Sequence, residues 1–288
     1  MRVSTVTNTP KSASSLIKLK NDQWLTNQRI AGKVTADCLS LLEGLVKEKT
    51  TKSLIELDEI AGDFILKNGC TATFKDYKGF PNYCCISVNN TLVHGVATPY
   101  ILQDGDMISF DLGATYKGSI ADSALTCIFG KPKSYEHSVM NLACEEALFK
   151  GISAVRPGLH LGEIGSAIYK SVKSNGFNVI TNYGGHSICN HEDGTGMPHA
   201  APFVANQAEP NDGIVMQAGL TLAIEPMLYP KKSFGKTSIG KDGWTVYMND
   251  ICNHFEHTIF IHWDHVEIIT WRQDEVFLKS NKLYFNGK

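Results

Sequence analysis

Two aspartates of this sequence stand inside apolar segments, where an isolated charge is costly to bury. Asp111 lies in the run MISFDL and Asp122 lies in the run SIADSALT, with the turn-forming stretch YKGS between the two runs. If Lys117 and Gly118 form the loop of a hairpin, Asp111 faces Ala124, and Asp122 is the diagonal neighbour of Asp111 on the same sheet face. The spacing therefore predicts two carboxylates side by side.

Two neighbouring carboxylates repel each other, so either one is protonated or a cation lies between them. The alternative is a hairpin pair that is exposed or bound to basic side chains, and the spacing alone leaves both open. Two further acids occur in a similar setting: Glu225 follows the apolar segment 220–224, and Glu256 precedes the apolar run 258–261. None of the four acids has an obvious basic partner nearby in sequence. Because carboxylate oxygens bind divalent cations and can bridge two of them, the set favours a metal cluster.

Two histidines could add imidazole to such a cluster. His186 follows two glycines, and His94 precedes Gly95, which we expect to leave room for a substrate. A single histidine on an apolar strand is usually structural, so neither residue indicates a site by itself.

Five motifs together resemble the methionine aminopeptidases of type I, a family of metallopeptidases. The motifs occur in the order of the family and, with the segments between them, the resemblance covers about residues 16–270, nearly the whole chain. Each is weak alone, but five in order are specific. They are residues 87–95 (SVNNTLVHG), 104–111 (DGDMISFD), 224–227 (IEPM), 242–246 (DGWTV) and 255–258 (FEHT).

The resemblance implies two divalent metal ions and five protein ligands. By position in the motifs, Asp111 would chelate one ion, and His186 with Glu225 would hold the other. Asp122 and Glu256 would bridge the two ions. A water between the ions, acidified to hydroxide, would attack the scissile carbonyl, with Glu225 as the proton shuttle. Carboxylates with one imidazole accept Mn, Fe, Co or Zn, so the identity of the metal stays open.

The resemblance also implies two histidines that hold the peptide and stabilise the tetrahedral oxyanion. His94 is the first, and the second is either His191 or His199. The letters HED at 191–193 copy the family locally. However, His199 keeps the family's offsets to the following Pro, Val and Asn. The number of residues between His199 and Glu225 also agrees better with the family, so we favour His199.

Choosing His199 places an insertion at residues 189–197, and Ser187 stands where the family has a glycine. We expect the insertion to reshape the rim of the substrate site. For the methionine side chain of the substrate, the resemblance points to Tyr77, Phe80, Cys85 and Trp244. Sulfur packs well against aromatic rings, although all four could instead be ordinary core residues.

The elements that must position these residues follow from the hydrophobic periodicity. A helical period over 22–49 is followed by a second helix, which the capping box of Ser53 and Glu56 begins and Asn68–Gly69 ends. The order of helix, helix and strands then repeats, which predicts an α+β domain of two similar halves sharing one sheet. In the family this is the pita-bread fold, with two pseudo-symmetric halves around a curved antiparallel sheet. The later helices are predicted at 134–155 and 161–173, and the strands at 83–88, 107–112, 120–129, 214–216, 220–224, 245–248, 256–262 and 266–269.

Composition limits the remaining possibilities. The net charge is −2 and no run of about 18 apolar residues occurs, which argues against nucleic-acid binding and a transmembrane helix. Residues 1–15 are predicted to form a mobile tail and 16–288 a single metallopeptidase domain. The eight scattered cysteines indicate buried thiols in a reducing cytoplasm. The family resemblance implies the N-terminal peptide of nascent proteins as the partner, with transient ribosome contact, and we expect a monomer.

Three alternatives compete with this interpretation. Proline-specific and creatinase-like peptidases of the same fold normally carry a large additional N-terminal domain, for which 288 residues leave no room. Type II methionine aminopeptidases have a helical insertion between the positions of His199 and Glu225, and we expect neither that insertion nor a zinc-finger extension. A catalytically inactive binding protein of the same fold is the third alternative, and metal content with peptide turnover separates it from an enzyme.

Overall fold

The computed structural model describes residues 19–190, 196–273 and 275. Four α-helices occur in this part of the chain, and none of them is long and apolar enough to cross a membrane. The helices are α1 (Asp22–Lys47), α2 (Leu54–Lys67), α3 (Tyr135–Ser153) and α4 (Gly162–Ser174). The strands are β1 (Thr71–Ala72), β2 (Cys85–Val88), β3 (Thr91–Val93), β4 (Met107–Tyr116), β5 (Ser119–Ile128), β6 (Phe177–Val179), β7 (Gly185–Asn190), β8 (Gly196–Val204), β9 (Thr221–Ile224), β10 (Met227–Pro230), β11 (Thr237–Ile239), β12 (Val246–Met248), β13 (Asn253–His254), β14 (Glu256–Ile261) and β15 (Val266–Ile268).

A nine-stranded sheet forms the centre of the described chain, in the order β1-β4-β5-β14-β9-β7-β8, with β2 beside β4 and β15 beside β14. Its strand pairs are antiparallel. Two three-stranded sheets, β13-β10-β6 and β11-β12-β3, complete the β structure. Helix α1 lies against β4 and β5 and contacts α2, whereas α3 contacts α4 and lies against β9, β10, β13 and β14. Each helix pair therefore belongs to one half of the sheet.

The predicted helix boundaries lie within a few residues of the observed ones because local capping defines them. Asn21 accepts a hydrogen bond from the backbone N–H of Trp24 at the start of α1. Ser53 and Glu56 form the predicted capping box of α2. Gly69, just beyond α2, has a φ of 75°, the left-handed conformation that glycine adopts without strain.

The β4–β5 hairpin has the predicted register. Asp111 pairs with Ala124, and Asp122 pairs with Gly113. Lys117 and Gly118 both have positive φ, 46° and 80°, as the two loop residues of a tight hairpin turn with the twist of the flanking strands require.

The prediction was wrong for the segment around His186. Residues 185–190 and 196–204 form the antiparallel strands β7 and β8, which the sequence did not predict, whereas residues 214–216 contribute only a single bridge, from Val215 to His160. The β7–β8 pairing is irregular, with register shifts beside Ser187, so polar and apolar residues do not alternate as in a regular strand. Residues 191–195, including His191 and much of the predicted insertion, lie outside the described part of the chain, as does the predicted tail at 1–15.

Hydroxyl groups join β5 to β14 beside the predicted ligands. The Thr258 hydroxyl accepts a hydrogen bond from the backbone N–H of Asp122 at 2.8 Å and donates one to its carbonyl at 2.7 Å. The Ser123 hydroxyl donates to the carbonyl of Glu256 at 2.6 Å. These buried bonds fix the spacing between the strands that carry Asp122 and Glu256.

We expect Thr258→Val to destabilise the metal-free protein by about 1–3 kcal/mol, because it leaves the N–H and C=O of Asp122 buried without their partner at almost unchanged volume. Urea unfolding of chelator-treated protein measures this loss. Thr258→Ser, which keeps the hydroxyl, is the control and should retain more of the stability. Equal losses in the two variants would show that the methyl group, and not the hydroxyl, is what matters.

Candidate active site

The sheet brings the five predicted metal ligands together. Strands β4, β5, β14, β9 and β7 are consecutive in the sheet. Each strand supplies one residue, and the five residues are neighbours across the sheet. The residue lies within the strand, at its start or directly after its end. The residues are Asp111 on β4, Asp122 on β5, Glu256 at the start of β14, Glu225 directly after β9, and His186 on β7.

Short distances join these side chains into one cluster. One candidate ligand atom each from Asp111, Asp122 and Glu256 lies within 4.8 Å of the others, and the same holds for His186, Glu225 and Glu256. The Nε2 atom of His186 is 3.4 Å from Oε1 of Glu225 and 4.0 Å from Oε1 of Glu256. Glu256 belongs to both groups, so the arrangement can hold two cations that share a ligand.

The donor set fits divalent cations because no lysine or arginine in the described chain is paired with its carboxylates. In the described chain, Asp111 Oδ1, Asp122 Oδ1 and Glu256 Oε1 are buried without a hydrogen-bond partner. Buried carboxylates are stable only when protonated, paired with a cation or bound to a metal. Oxygen atoms with one imidazole are ligands that divalent transition metals accept.

The pKa values of all four carboxyl groups are raised in the absence of a cation, and burial is the largest cause for each of them. Burial raises the pKa of Asp122 to about 7. Burial and the neighbouring Asp122 raise the pKa of Asp111 well above its ordinary value. The pKa values of Glu225 and Glu256 are raised in the same way, by burial first and by the other carboxylates second. Asp111 retains accessible surface and lines a cavity.

The cluster forms one end of a cavity of about 370 Å³. The remaining lining is mostly apolar and aromatic, and Lys78 is the one lysine or arginine among the described residues that line it. A cavity of this kind, with a few convergent polar groups, is typical of a small-ligand or peptide-end site.

His94 and His199 line this cavity beside the cluster. The ring of His199 lies 4.5 Å from the ring of His186 and 6.5 Å from that of His94, measured between centroids. One Nδ1 or Nε2 atom of His199 also lies within 4.8 Å of ligand atoms of Asp122 and His186. The structure thus places the favoured His199 at the cavity, while the alternative His191 lies outside the described residues.

These imidazoles are held neutral. Burial lowers the pKa of His186 to about 4 and also lowers the pKa of His94. His199 is exposed towards the cavity, yet the surrounding protein still excludes much of the bulk water, and this partial desolvation lowers its pKa. Neutral imidazole can both ligate a metal and donate a hydrogen bond.

The backbone at His94 is strained, with a φ of 56° in the left-handed region. The sequence suggested that Gly95 leaves room for a substrate, but the structure shows a different reason for the glycine. A Cβ there would lie 2.2 Å from the carbonyl oxygen of Ile86. The glycine is needed because the backbone segments at Ile86 and Gly95 approach closely, with the Ile86 N–H donating to the Gly95 carbonyl at 2.9 Å. This contact holds His94 at the cavity wall.

The predicted methionine pocket also lies in this cavity. Tyr77, Phe80, Cys85 and Trp244 all line it. Phe80 packs edge-to-face on Trp244 with ring centroids 5.3 Å apart. Phe74, which the sequence analysis missed, completes this apolar cluster and lies 6.4 Å from the ring of His199.

His254 is a second residue that the sequence analysis missed. Its Nε2 atom lies 3.3 Å from Oε2 of Glu225. The available signal was its position two residues before Glu256, since residues two apart on an extended chain point to the same side.

Comparison with known proteins gives one consistent result. The model described as metallopeptidase family M24 matches residues 26–262. The methionine aminopeptidase of Mycoplasma capricolum subsp. capricolum is 39% identical over 259 residues, covering 88% of this chain and 98% of that protein. A crystal structure of methionine aminopeptidase from Thermotoga maritima has a TM-score of 0.81 and 32% identity, covering 88% of this chain and 99% of that one.

A more distant structure has the same fold. A prolidase from Pyrococcus furiosus has a TM-score of 0.64 at 20% identity, covering 88% of this chain and 65% of that one. These likenesses confirm the predicted α+β pita-bread fold with two similar halves around a curved antiparallel sheet.

The metal-free cluster predicts an unusual pH dependence of stability. Raised carboxyl pKa values mean that the folded protein holds protons that the unfolded chain has released, so stability falls as the pH rises. For Asp122 this window runs from its ordinary 3.8 to about 7. We expect the melting temperature of chelator-treated protein to fall across this window, between about pH 4 and pH 7. Added Mn²⁺ should reverse this slope, because metal binding requires the ionised carboxylates.

The variant Asp122→Asn serves as the control, since an amide does not titrate. It should show a shallower fall without metal and a smaller gain from Mn²⁺. Melting curves by differential scanning fluorimetry across this pH range provide the measurement. Identical slopes in the two proteins would contradict a raised pKa for Asp122.

Proposed function

Because the chain belongs to metallopeptidase family M24, as its motifs predicted, we propose that it is a metal-dependent aminopeptidase that removes the N-terminal initiator methionine from nascent proteins and peptides. The observation that carries the proposal is one cavity lined by two chemically different groups of residues. Four carboxylates and His186 form the first group, and an apolar aromatic cluster forms the second. The first group suits hydrolysis with bound cations, and the second suits an apolar side chain.

The proposed ligands of two divalent ions are Asp111, Asp122, His186, Glu225 and Glu256. The uncompensated charge of their buried oxygens supports this assignment. When bound, such ions supply Lewis acidity, which polarises a carbonyl group and lowers the pKa of water near neutrality. Mn, Fe, Co and Zn all suit these ligands.

Glu225 is the proposed residue that holds and transfers the proton. Its Oε1 atom lies 3.4 Å from Nε2 of His186, and the residue lines the cavity. An ionised carboxylate within reach of the attacking water can accept its proton and return that proton to the leaving amine.

His94 and His199 are proposed to hold the substrate. Both are neutral imidazoles at the cavity wall, and their ring centroids lie 6.5 Å apart. Each can donate a ring N–H to a peptide carbonyl oxygen as negative charge develops on it. Because these donors are fixed before the substrate arrives, little reorganisation is needed during the reaction.

The apolar end is proposed to bind the methionine side chain. The thiol of Cys85 and the rings of Phe74, Phe80 and Trp244 form one packed cluster there. Contacts of this kind suit a thioether, which packs favourably against aromatic rings. The insertion at 189–197 is proposed to shape the rim of this site.

The cellular setting is part of the proposal. All eight cysteines are buried and none forms a disulfide, which supports a reducing compartment, and we place the enzyme in the cytoplasm. The proposed state is a monomer that meets its substrates during transient contact with the ribosome.

Methionine release from a Met-Ala-Ser peptide tests the activity. Chelator-treated protein should be inactive and should recover when Mn, Co, Fe or Zn is added. We expect Glu225→Ala and His199→Ala each to lower kcat by about 10²- to 10³-fold, because the first removes the proton carrier and the second an oxyanion donor.

The control for the histidine variant is His265→Ala, at an exposed position on the turn after β14, and it should keep full activity. Full activity in His199→Ala would assign the second histidine to His191. If folded protein released no methionine with any metal, the chain would be a binding protein that keeps only the ligand set.

The methionine pocket is tested by Trp244→Ala. We expect kcat/KM for Met-Ala-Ser to fall about 10- to 100-fold, because the substrate side chain loses an apolar wall. Trp263→Ala is the matched control, since Trp263 is 81% exposed on the turn after β14. If kcat/KM were unchanged in Trp244→Ala, the methionine side chain would have to bind elsewhere.

A further inference from the structure

We propose that His254 is a positioning residue for Glu225: its ring Nε2–H donates a hydrogen bond to Oε2 of Glu225 and thereby keeps Oε1 beside His186. The inference rests on the proposed function, since it assigns a role in the same reaction. It concerns a residue outside the predicted ligand and substrate-binding sets.

The contacts of Glu225 are divided between its two oxygens. Oε2 lies 3.3 Å from Nε2 of His254, and Oε1 lies 3.4 Å from Nε2 of His186. The carboxylate is therefore held between two imidazoles. A rotation about its terminal bond would break both contacts, so the pair of histidines fixes which oxygen is presented to the cluster.

The Nε2 atom of the His254 ring has few possible hydrogen-bond partners. The residue is 1% exposed, and its buried Nε2 atom has no well-formed hydrogen bond among the described residues. The carboxylate oxygen Oε2 of Glu225, 3.3 Å away, is the acceptor placed beside it. Buried ring nitrogens are nearly always hydrogen-bonded. An ionised carboxylate only accepts hydrogen bonds, so a ring nitrogen that bonds to it must carry a proton. The adjacent Oε2 therefore selects the tautomer with the proton on Nε2. At 3.3 Å the contact is long, as hydrogen bonds in catalytic sites often are before the site is loaded.

The backbone of His254 is fixed on both sides. Its N–H donates to the Thr126 hydroxyl at 3.1 Å, and that hydroxyl donates to the His254 carbonyl at 2.6 Å. His254 also pairs with Met227 in the β10–β13 ladder, two residues beyond Glu225. The backbone of His254 is thus bonded both to β5 and to β10, the strand that follows Glu225. A positioning group needs rigid support of this kind.

His254 differs from the other histidines of the site in its location. His94, His186 and His199 line the cavity, whereas His254 does not and reaches the site only through Glu225. It cannot contact a peptide in the cavity. Its loss should therefore change kcat and metal affinity while leaving KM nearly unchanged.

Three variants separate hydrogen bonding from simple packing. His254→Leu removes the donor, His254→Gln places an amide N–H near the position of Nε2, and His254→Asn carries the same amide on a shorter side chain. With Met-Ala-Ser and added Mn²⁺, we expect kcat to fall about 10- to 100-fold in the Leu and Asn variants. The Gln variant should stay within about threefold of the wild type, and KM should change by less than about twofold in all three.

A second measurement does not depend on turnover. Isothermal titration of chelator-treated protein with Mn²⁺ should show an affinity about 10- to 100-fold weaker in the Leu and Asn variants, restored in the Gln variant. Val172→Ala on α4 is the control for general loss of stability, because Val172 is fully buried away from the cavity. It should melt at a lower temperature but keep the wild-type kcat and Mn²⁺ affinity.

Wild-type kcat and Mn²⁺ affinity in the Leu variant would overturn the proposal, and so would a Gln variant no better than the Asn variant. If the Leu variant does not fold, the comparison of Gln with Asn decides. If wild-type protein binds Mn²⁺ but releases no methionine, the proposed function fails, while the Mn²⁺ affinities of the variants still test the role of His254.

Discussion

The mutual repulsion of four clustered carboxylates is the interaction on which the rest of this structure depends. Asp111, Asp122, Glu225 and Glu256 lie in one cluster, with three of their oxygens buried and unpartnered. Without cations, this cluster costs stability unless protons neutralise it, and a bound cation would remove that cost. Folding and metal binding are therefore coupled in the proposed arrangement, in which the carboxylates that weaken the metal-free fold hold the ions.

The sheet keeps these repelling groups in place. Consecutive strands hold their backbones at fixed spacing, and the hydroxyls of Ser123 and Thr258 add side-chain bonds between β5 and β14 where the ligands stand. The close approach of Gly95 to Ile86 fixes His94 in the same manner. A rigid frame of this kind cannot relax by moving the charges apart, and the remaining way to lower the energy is to bind a cation or a proton.

The cavity joins this charged cluster to an apolar surface. Aromatic rings and Cys85 form the apolar part, and His199 lies between the two parts, near Phe74 and Tyr77 on one side and His186 on the other. In the proposed function, a peptide with an apolar first side chain fills the apolar part while its first carbonyl lies close to the proposed metal ligands. His254 acts behind this surface, through Glu225 alone, in the proposed arrangement.

The sequence by itself determined the features that depend on local interactions. The capping box of α2, the turn at Lys117–Gly118 and the resulting register of Asp111 and Asp122 follow from neighbouring residues, and the ordered motifs identified the family. Only the tertiary structure decided that His199 lies at the cavity, that β7 and β8 are strands, and that Phe74 and His254 belong to the site. One physical reason is that bulged strands lack a regular hydrophobic period. The other is that some contacts join residues far apart along the chain or on either side of a chain reversal. Such contacts depend on how the sheet folds rather than on local sequence.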